Sequence, residues 1–467
     1  MSTSRTPRNA RHSPASLASP ASPGRTGPTE QTEQTEQTGQ AHQTAGPAGR
    51  TVPSRARGGV RRRTSLRLLV VTSTAVLGVL AAPPALAAGP AGSGSGGEAA
   101  DGCLSSVPFV AGADGYDTFR VPAVVTAPSG ALLAFAEGRV GGAGDSGNID
   151  VVLRRSTDGG CTWGPLSVVA SGGGDTRGNP SPVFDPATGR LVLVTCFNSG
   201  EVSEDEIMRG EVTPEQSRRV FVQTSDDEGR SFSAPREITD VAKRPEWRWY
   251  ATGPGHAIAL TRGPHAGRLL VPANHSTSPP PGSPDTGEED RYYGSHALYS
   301  DDGGATWELG YVDTSYEGAL NANESSVAEL PDGRLYFSVR DQNGTDPGHR
   351  LGGYSSDGGE SLDGPLTPQL GLERVPVVQG SVLRLPGRQG PLLFSGPSEP
   401  DARRALTVWR SDDDGGSFRP EVTVSAQPAA YSDLVELDRR TVGLLYETGL
   451  EGPYETVEFR RIDIGRG

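Results

Sequence analysis

The 467 residues leave room for two average domains or for one large all-β domain. Glycine and proline account for 103 of them, about 22%, and each one inside a helix costs roughly 1–3 kcal/mol, so a helical bundle or coiled coil is excluded and short strands joined by turns are expected. Of the net charge of −14, residues 1–88 contribute +8 and the remainder −22, which excludes an extended nucleic-acid-binding surface, since that needs clustered positive charge.

Residues 1–60 are rich in Ser, Thr, Pro, Gly, Gln and Arg, with the echo TEQTEQTEQTGQ and almost no large apolar side chain. Nothing there offsets the entropy of ordering, so a disordered low-complexity tract is expected. Residues 61–88 carry Arg61-Arg62-Arg63, an apolar run from Leu68 to Leu80 and Ala85-Leu86-Ala87. A basic stretch, a short apolar stretch and an Ala-x-Ala site, in that order, read as a cleaved secretory signal. Arg62-Arg63 gives it a weak twin-arginine character. The apolar run is too short to cross a bilayer about 30 Å thick, so an exported protein without stable membrane insertion is expected. Residues 89–102 form a Gly/Ser/Ala linker. Of Cys103, Cys161 and Cys196, any two could pair in an oxidising compartment, and the sequence leaves the choice open. No close Cys pair and no His cluster suggests a metal.

From residue 103 onward one short pattern recurs. It reads Ser156-Thr-Asp158-Gly-Gly160-Cys-Thr-Trp163 and returns at Ser225–Phe232, Ser300–Trp307, Ser355–Leu362 and Ser411–Phe418, with starts separated by 69, 75, 55 and 56 residues. The aspartates are Asp158, Asp227, Asp302, Asp357 and Asp413. Such a side chain accepts N–H groups inside a turn, the glycine supplies φ > 0 and the aromatic packs beneath. β-like runs such as Ile149–Arg155, Val220–Thr224 and Leu406–Arg410 precede the copies, so each sits on a hairpin. A β unit of this period is the mark of a propeller. Six blades of four antiparallel strands over 103–467 are expected, five carrying a box and one closed by the two ends of the domain. Two look-alikes fail. Asp412-Asp413-Asp414-Gly415 lacks the closing Glu of a calcium loop, and Gly142-Ala-Gly144-Asp-Ser-Gly147 precedes a strand rather than a helix.

The repeated box resembles the Asp-box of the bacterial sialidases (neuraminidases), and six further segments resemble that family in its own order. Thr118-Phe-Arg120-Val-Pro122, Ser338-Val-Arg340-Asp341 and Arg403-Arg404 before the last box match the three arginines that grip the substrate carboxylate, with Arg404 the neighbouring alternative to Arg403. Phe135-Ala-Glu137-Gly-Arg139 and the glycine-rich stretch through Asp145 match the acid/base loop, in which Asp145 is preferred to Asp150 and Arg139 orients substrate. Asn323-Glu324 and Ala430-Tyr431-Ser432-Asp433 match the base and the tyrosine nucleophile. The chemistry fits the residue types: guanidinium binds carboxylate bidentately, and a neutral phenol can approach an anomeric carbon that already bears a carboxylate, provided a base takes its proton. Asn179 and Asn323 stand where other members place Asp, which leaves fine substrate preference open. The stretch Trp247–Gly255 resembles a family loop lining the site.

The resemblance implies a secreted, monomeric exo-α-sialidase acting with retention on sialylated glycoconjugates, with no cofactor and no metal. A trans-sialidase and a catalytically silent sialic-acid binder are the alternatives.

Overall fold

The computed structural model describes residues 103–313, 320–342, 348–387 and 390–465. The tract, signal and linker expected over residues 1–102 lie outside the described residues. No helix among the described residues is long and apolar enough to cross a membrane.

The fold is all-β and propeller-like, built of antiparallel sheets. After β1 (Ser105–Val110), β2 (Thr118–Thr126), β3 (Leu132–Val140), β4 (Asn148–Ser156) and β5 (Ser167–Ala170) form one antiparallel run. A second run is β6 (Thr176–Phe184), β7 (Leu191–Asn198), β8 (Arg219–Ser225) and β9 (Arg236–Glu237). The two runs make one eight-stranded sheet through a single parallel pairing, Ile149 with Thr176. A five-stranded sheet follows: β10 (Trp247–Thr252), β11 (Ile258–Ala259), β12 (Leu269–Thr277), β13 (Tyr293–Ser300) and β14 (Glu308–Val312). The next sheet has β15 (Ala322–Glu329), β16 (Leu335–Asp341), β17 (Arg350–Ser355) and β18 (Thr367–Pro368). Then come β19 (Ser381–Arg384), β20 (Leu392–Glu399), β21 (Ala402–Ser411) and β22 (Arg419–Thr423). The last sheet holds β23 (Ala429–Glu436), β24 (Thr441–Thr448) and β25 (Thr456–Asp463), and β1 completes it by pairing with β25, Ser105 opposite Arg460.

The inner strands are buried on both faces, which is why β7 reads Leu-Val-Leu-Val-Thr-Cys-Phe-Asn, buried at every position, instead of alternating with polar residues. The core lies in the seams between neighbouring runs. Leu133, Phe135, Leu191 and Leu193 fill the seam between the β2–β5 and β6–β9 runs. Phe109, Phe119, Leu445 and Phe459 fill the one between the closing sheet and β2–β4.

All five boxes form the expected turn, between the last two strands of a run. In each, the first Ser donates to the Asp at 2.7–2.8 Å and accepts a glycine amide at 2.8–3.0 Å. The Asp also accepts the amide four residues on at 2.8–3.0 Å. Gly160 shows why the glycine is needed: its φ is +88°, and a Cβ there would stand 2.1 Å from the Phe459 ring. The closing sheet has no box because its fourth strand, β1, is not joined to β25 by a hairpin.

Cys103 and Cys161 form a disulfide with Cα atoms 5.5 Å apart, and Cys196 is free and buried. This bond fastens the segment before β1 to the first box, where Trp163 Nε1 also donates to Ser106 Oγ at 2.8 Å. The carboxylates of the apparent calcium loop have other partners: Asp412 pairs with Arg410 at 2.7 Å and Arg419 at 3.1 Å.

The disulfide spans 58 residues, so the unfolded-chain entropy it removes is worth up to about 4 kcal/mol. Cys161→Ser should unfold at lower temperature than wild type, and a reductant should lower the wild-type midpoint but not the variant's; equal midpoints would contradict the account. In the boxes, burial pushes the Asp158 carboxyl up, but hydrogen bonds from Thr162 and Ser156 outweigh it and hold it at about 2. Hydrogen bonds from Ser231 depress Asp227 likewise, and Asp302, Asp357 and Asp413 are also lowered. Groups depressed below the unfolded value near 3.9 stabilise the fold above that pH and lose the contribution as pH falls through the folded value. Melting temperature should therefore decline between about pH 4 and pH 2, and Asp302→Asn should shallow that decline; equal slopes would contradict it.

Candidate active site

One cavity of about 330 Å³ gathers Arg120, Arg139, Asp145, Asn179, Glu324, Arg340, Arg403 and Tyr431, every catalytic and substrate-binding residue expected from the sequence. Asn323 and Trp249 line it as well. Asp150 instead accepts from the Tyr116 hydroxyl at 2.8 Å, and Arg404 donates to the Ala426 carbonyl at 3.2 Å. Neither lines the cavity.

A recurring backbone device aims these side chains. The first long strand of five runs carries one extra residue against its partner. The register slips between Arg120 and Ala123, Gly178 and Ser181, Trp247 and Tyr250, Ala322 and Ser325, and Ala429 and Ser432. A bulge of this kind bends the strand and redirects its side chains. Within or beside these slips stand Arg120, Asn179, Trp249, Asn323, Glu324 and Tyr431. Val121 and Asn179 take φ of +55° and +52°, uncommon for any residue with a Cβ and an outlier for a β-branched one. Each is held by a buried carboxylate: the Val121 amide donates to Glu447 at 2.8 Å and the Asn179 amide to Glu137 at 2.7 Å. At Gly178 a Cβ would meet Glu137 Oε1 at 2.3 Å, so a side chain there would push that carboxylate off the Asn179 amide.

Glu447, at the end of β24 and fully buried, also accepts from Arg120 Nε at 3.2 Å, Arg120 Nη2 at 3.4 Å and the Tyr431 amide at 3.1 Å. Burial lowers the Arg120 guanidinium, but the Glu447 carboxylate outweighs that and raises it well above its ordinary value. Arg139 is bound by Glu137 through Nε at 3.0 Å and through Nη2. Its Nη1 lies 2.8 Å from Asp145 Oδ1. Arg403 donates to Tyr454 Oη at 2.9 Å and to the Val377 carbonyl at 3.2 Å.

The Tyr431 hydroxyl donates to Glu324 Oε1 at 2.5 Å, and Arg340 Nη1 stands 2.7 Å from Glu324 Oε2 and 3.4 Å from Tyr431 Oη. Burial and the Glu324 carboxylate push the phenol far above its ordinary value, despite Arg340, Arg120 and Arg403. The phenol is therefore neutral in the free protein and already in contact with an acceptor for its proton. Asp145, in the loop between β3 and β4 and open to solvent on one side, is pushed up by partial desolvation against the cavity wall but held below the usual carboxylate range by Arg139 and Arg120.

The structure adds residues that sequence reasoning did not single out. Glu137 is a charge two residues before Arg139 in an otherwise apolar strand, and Glu447 is a charge near the end of an apolar run; both patterns were visible. Glu204 and Arg218 were not. Helix α1 (Glu204–Arg209) is started by a capping box between Ser203 and Glu206 and closed by Gly210. It packs Ile207 and Met208 against Trp249 and Tyr293, which brings Glu204 into the cavity, with the Tyr293 hydroxyl donating to it at 2.9 Å. Burial, then the Asp145 charge, raises the Glu204 carboxyl to about 7. Arg218 lies with its guanidinium carbon 3.6 Å from the Trp249 ring centroid.

The model of the BNR repeat-like domain matches residues 130–444. The chain is 32% identical over 356 residues to a sialidase of Micromonospora viridifaciens, covering 73% of this chain and 51% of that protein, so it spans about half the length of that relative. It is 30% identical over 412 residues to Sialidase-3 of Bos taurus, covering 73% of this chain and 89% of that one. Among solved structures, the Hadza microbial sialidase Hz136 superposes with a TM-score of 0.65 at 25% identity, over 77% of this chain and 68% of that one. The repeats, the fold and these likenesses together mean that the chain belongs to the sialidase family of glycoside hydrolases, with a BNR repeat-like domain.

Proposed function

We propose that the protein is an exo-α-sialidase that removes terminal sialic acid from glycoconjugates with retention, on a propeller of six blades. The blade count treats the eight-stranded sheet as two blades. It is supported by the single parallel pairing that joins its halves and by the separate apolar seam between them. Export through the N-terminal signal is part of the proposal, and a disulfide between Cys103 and Cys161 suits an oxidising destination.

One observation carries the mechanism: a neutral tyrosine hydroxyl 2.5 Å from a carboxylate, in the cavity that also holds Arg120, Arg340 and Arg403. The arginines take the substrate carboxylate. Tyr431 Oη attacks the anomeric carbon and passes its proton to Glu324, while Asp145 protonates the departing glycosidic oxygen. The anomeric bond to the aglycone breaks as the bond to Tyr431 forms. Water, deprotonated by Asp145, then attacks the same carbon and releases Tyr431, which recovers its proton from Glu324. Two inversions give retention.

General acid catalysis is worth roughly 10²–10⁴-fold, and an aryl leaving group departs without it. Asp145→Ala should therefore lose far more activity on sialyllactose than on a fluorogenic aryl sialoside. Tyr431→Phe should lose activity on both, and NMR of the wild-type reaction should show the α-anomer released first. Absence of release by wild type would overturn the sialidase reading, full activity of Tyr431→Phe would overturn the nucleophile, and the β-anomer first would overturn retention.

A further inference from the structure

We propose that in the free protein Asp145 occupies the place that the substrate carboxylate later takes on Arg120, and that substrate binding displaces it and so prepares it to protonate the leaving group. The inference rests on the sialidase reading above and concerns the same cavity.

Arg120 has little left to offer a ligand. Its Nε and Nη2 face Glu447 at 3.2 and 3.4 Å, and the remaining nitrogen, Nη1, stands 3.5 Å from Asp145 Oδ1. A carboxylate ligand arriving at Arg120 meets a carboxylate already there. The two anions cannot share the guanidinium at close range without repulsion.

Of the groups that hold the arginines, Asp145 is the one free to leave. Glu447, Glu324 and Glu137 sit on strands and are buried or nearly so, whereas the Asp145 side chain is 55% exposed. Its loop starts with Gly141 and Gly142 at φ of +92° and +125°, where an added Cβ would meet nothing within 4 Å. The carboxylate can therefore swing without breaking a strand pairing. The loop itself stays anchored, because Arg139 Nη1 also donates to the carbonyls of Ala143 and Gly144, at 2.5 and 2.9 Å.

Displacement also changes the acid. The charged groups acting on Asp145 are Arg139, Arg120, Arg218 and Glu204. The arginines favour its ionised form and Glu204 disfavours it. A substrate carboxylate on Arg120 neutralises one of the favourable partners, and departure from Arg139 removes another. Asp145 then holds its proton more readily at the moment the glycosidic oxygen needs one. By linkage, the same coupling makes an ionised Asp145 weaken the binding of a carboxylate.

The test is a cycle between the ligand carboxylate and Asp145, read by calorimetry. The probes are the 2,3-unsaturated analogue of sialic acid and its uncharged C1 amide, each bound to wild type and to Asp145→Asn. The variant should bind the acid about tenfold more tightly than wild type does, a coupling near 1.4 kcal/mol, with the amide unchanged. An acid-to-amide ratio that is unchanged or lowered in the variant would overturn the displacement and leave the sialidase reading standing. Failure of every form to bind the acid would overturn the sialidase reading itself.

Discussion

The site depends on one buried carboxylate. Glu447 comes from the second strand of the closing sheet and reaches the bulged backbone of two neighbouring innermost strands, β2 and β23. It binds the Arg120 side chain, the strained Val121 amide and the Tyr431 amide at once. The guanidinium proposed to take the substrate carboxylate and the hydroxyl proposed as nucleophile are thereby set relative to each other by a single buried side chain. A buried ion pair broken on one side costs about 3–5 kcal/mol, so the arrangement is stiff. A second knot lies deeper. Asp433, also fully buried, accepts the Val124 amide, the Ser381 hydroxyl and the His256 amide and ring, tying together four of the sheet runs through their inner segments.

Charge balance explains how an acidic protein holds a cluster of cations. Arg120 has a carboxylate partner behind the cavity wall and Arg139 and Arg340 have one within it, while Arg403 is held by a phenol and a carbonyl. Most of the cationic charge is therefore compensated before substrate arrives, which lets the fold tolerate it. The same compensation keeps Tyr431 neutral, because Glu324 disfavours the phenolate next to it. Under the proposed mechanism, the cluster that takes the anion sits beside a phenol that needs Glu324 to accept its proton.

Much of this was legible in the sequence, for physical reasons. The Asp-box declares itself because the turn needs the same atoms each time: a Ser hydroxyl, an Asp carboxylate and a glycine at positive φ. Arg120, Arg340, Asp145 and Tyr431 were reached through resemblance to short motifs, and Arg403 was preferred to Arg404 by register. The bulges were hidden, because an extra residue in a strand leaves no mark in a run such as Ala322–Glu329. Glu204 and Arg218 were hidden too. They reach the cavity through α1 and the segment around it, whose sequence shows a capping box but not what the helix packs against. The disulfide partner was hidden because only the path of β1 across the closing sheet brings Cys103 to the first box.

The central claim is that Tyr431 attacks the anomeric carbon with Glu324 as its base, and covalent trapping tests it most directly. A 2,3-difluorinated sialic acid loses its anomeric fluoride to the nucleophile, and the fluorine left at C3 slows hydrolysis of the product by destabilising the oxocarbenium-like transition state. Mass spectrometry of the digested protein should find the fluorosialyl group on the peptide carrying Tyr431, with no adduct in Tyr431→Phe. An adduct on any other residue of the cavity, or turnover of the probe's parent glycoside without any adduct forming, would contradict the account.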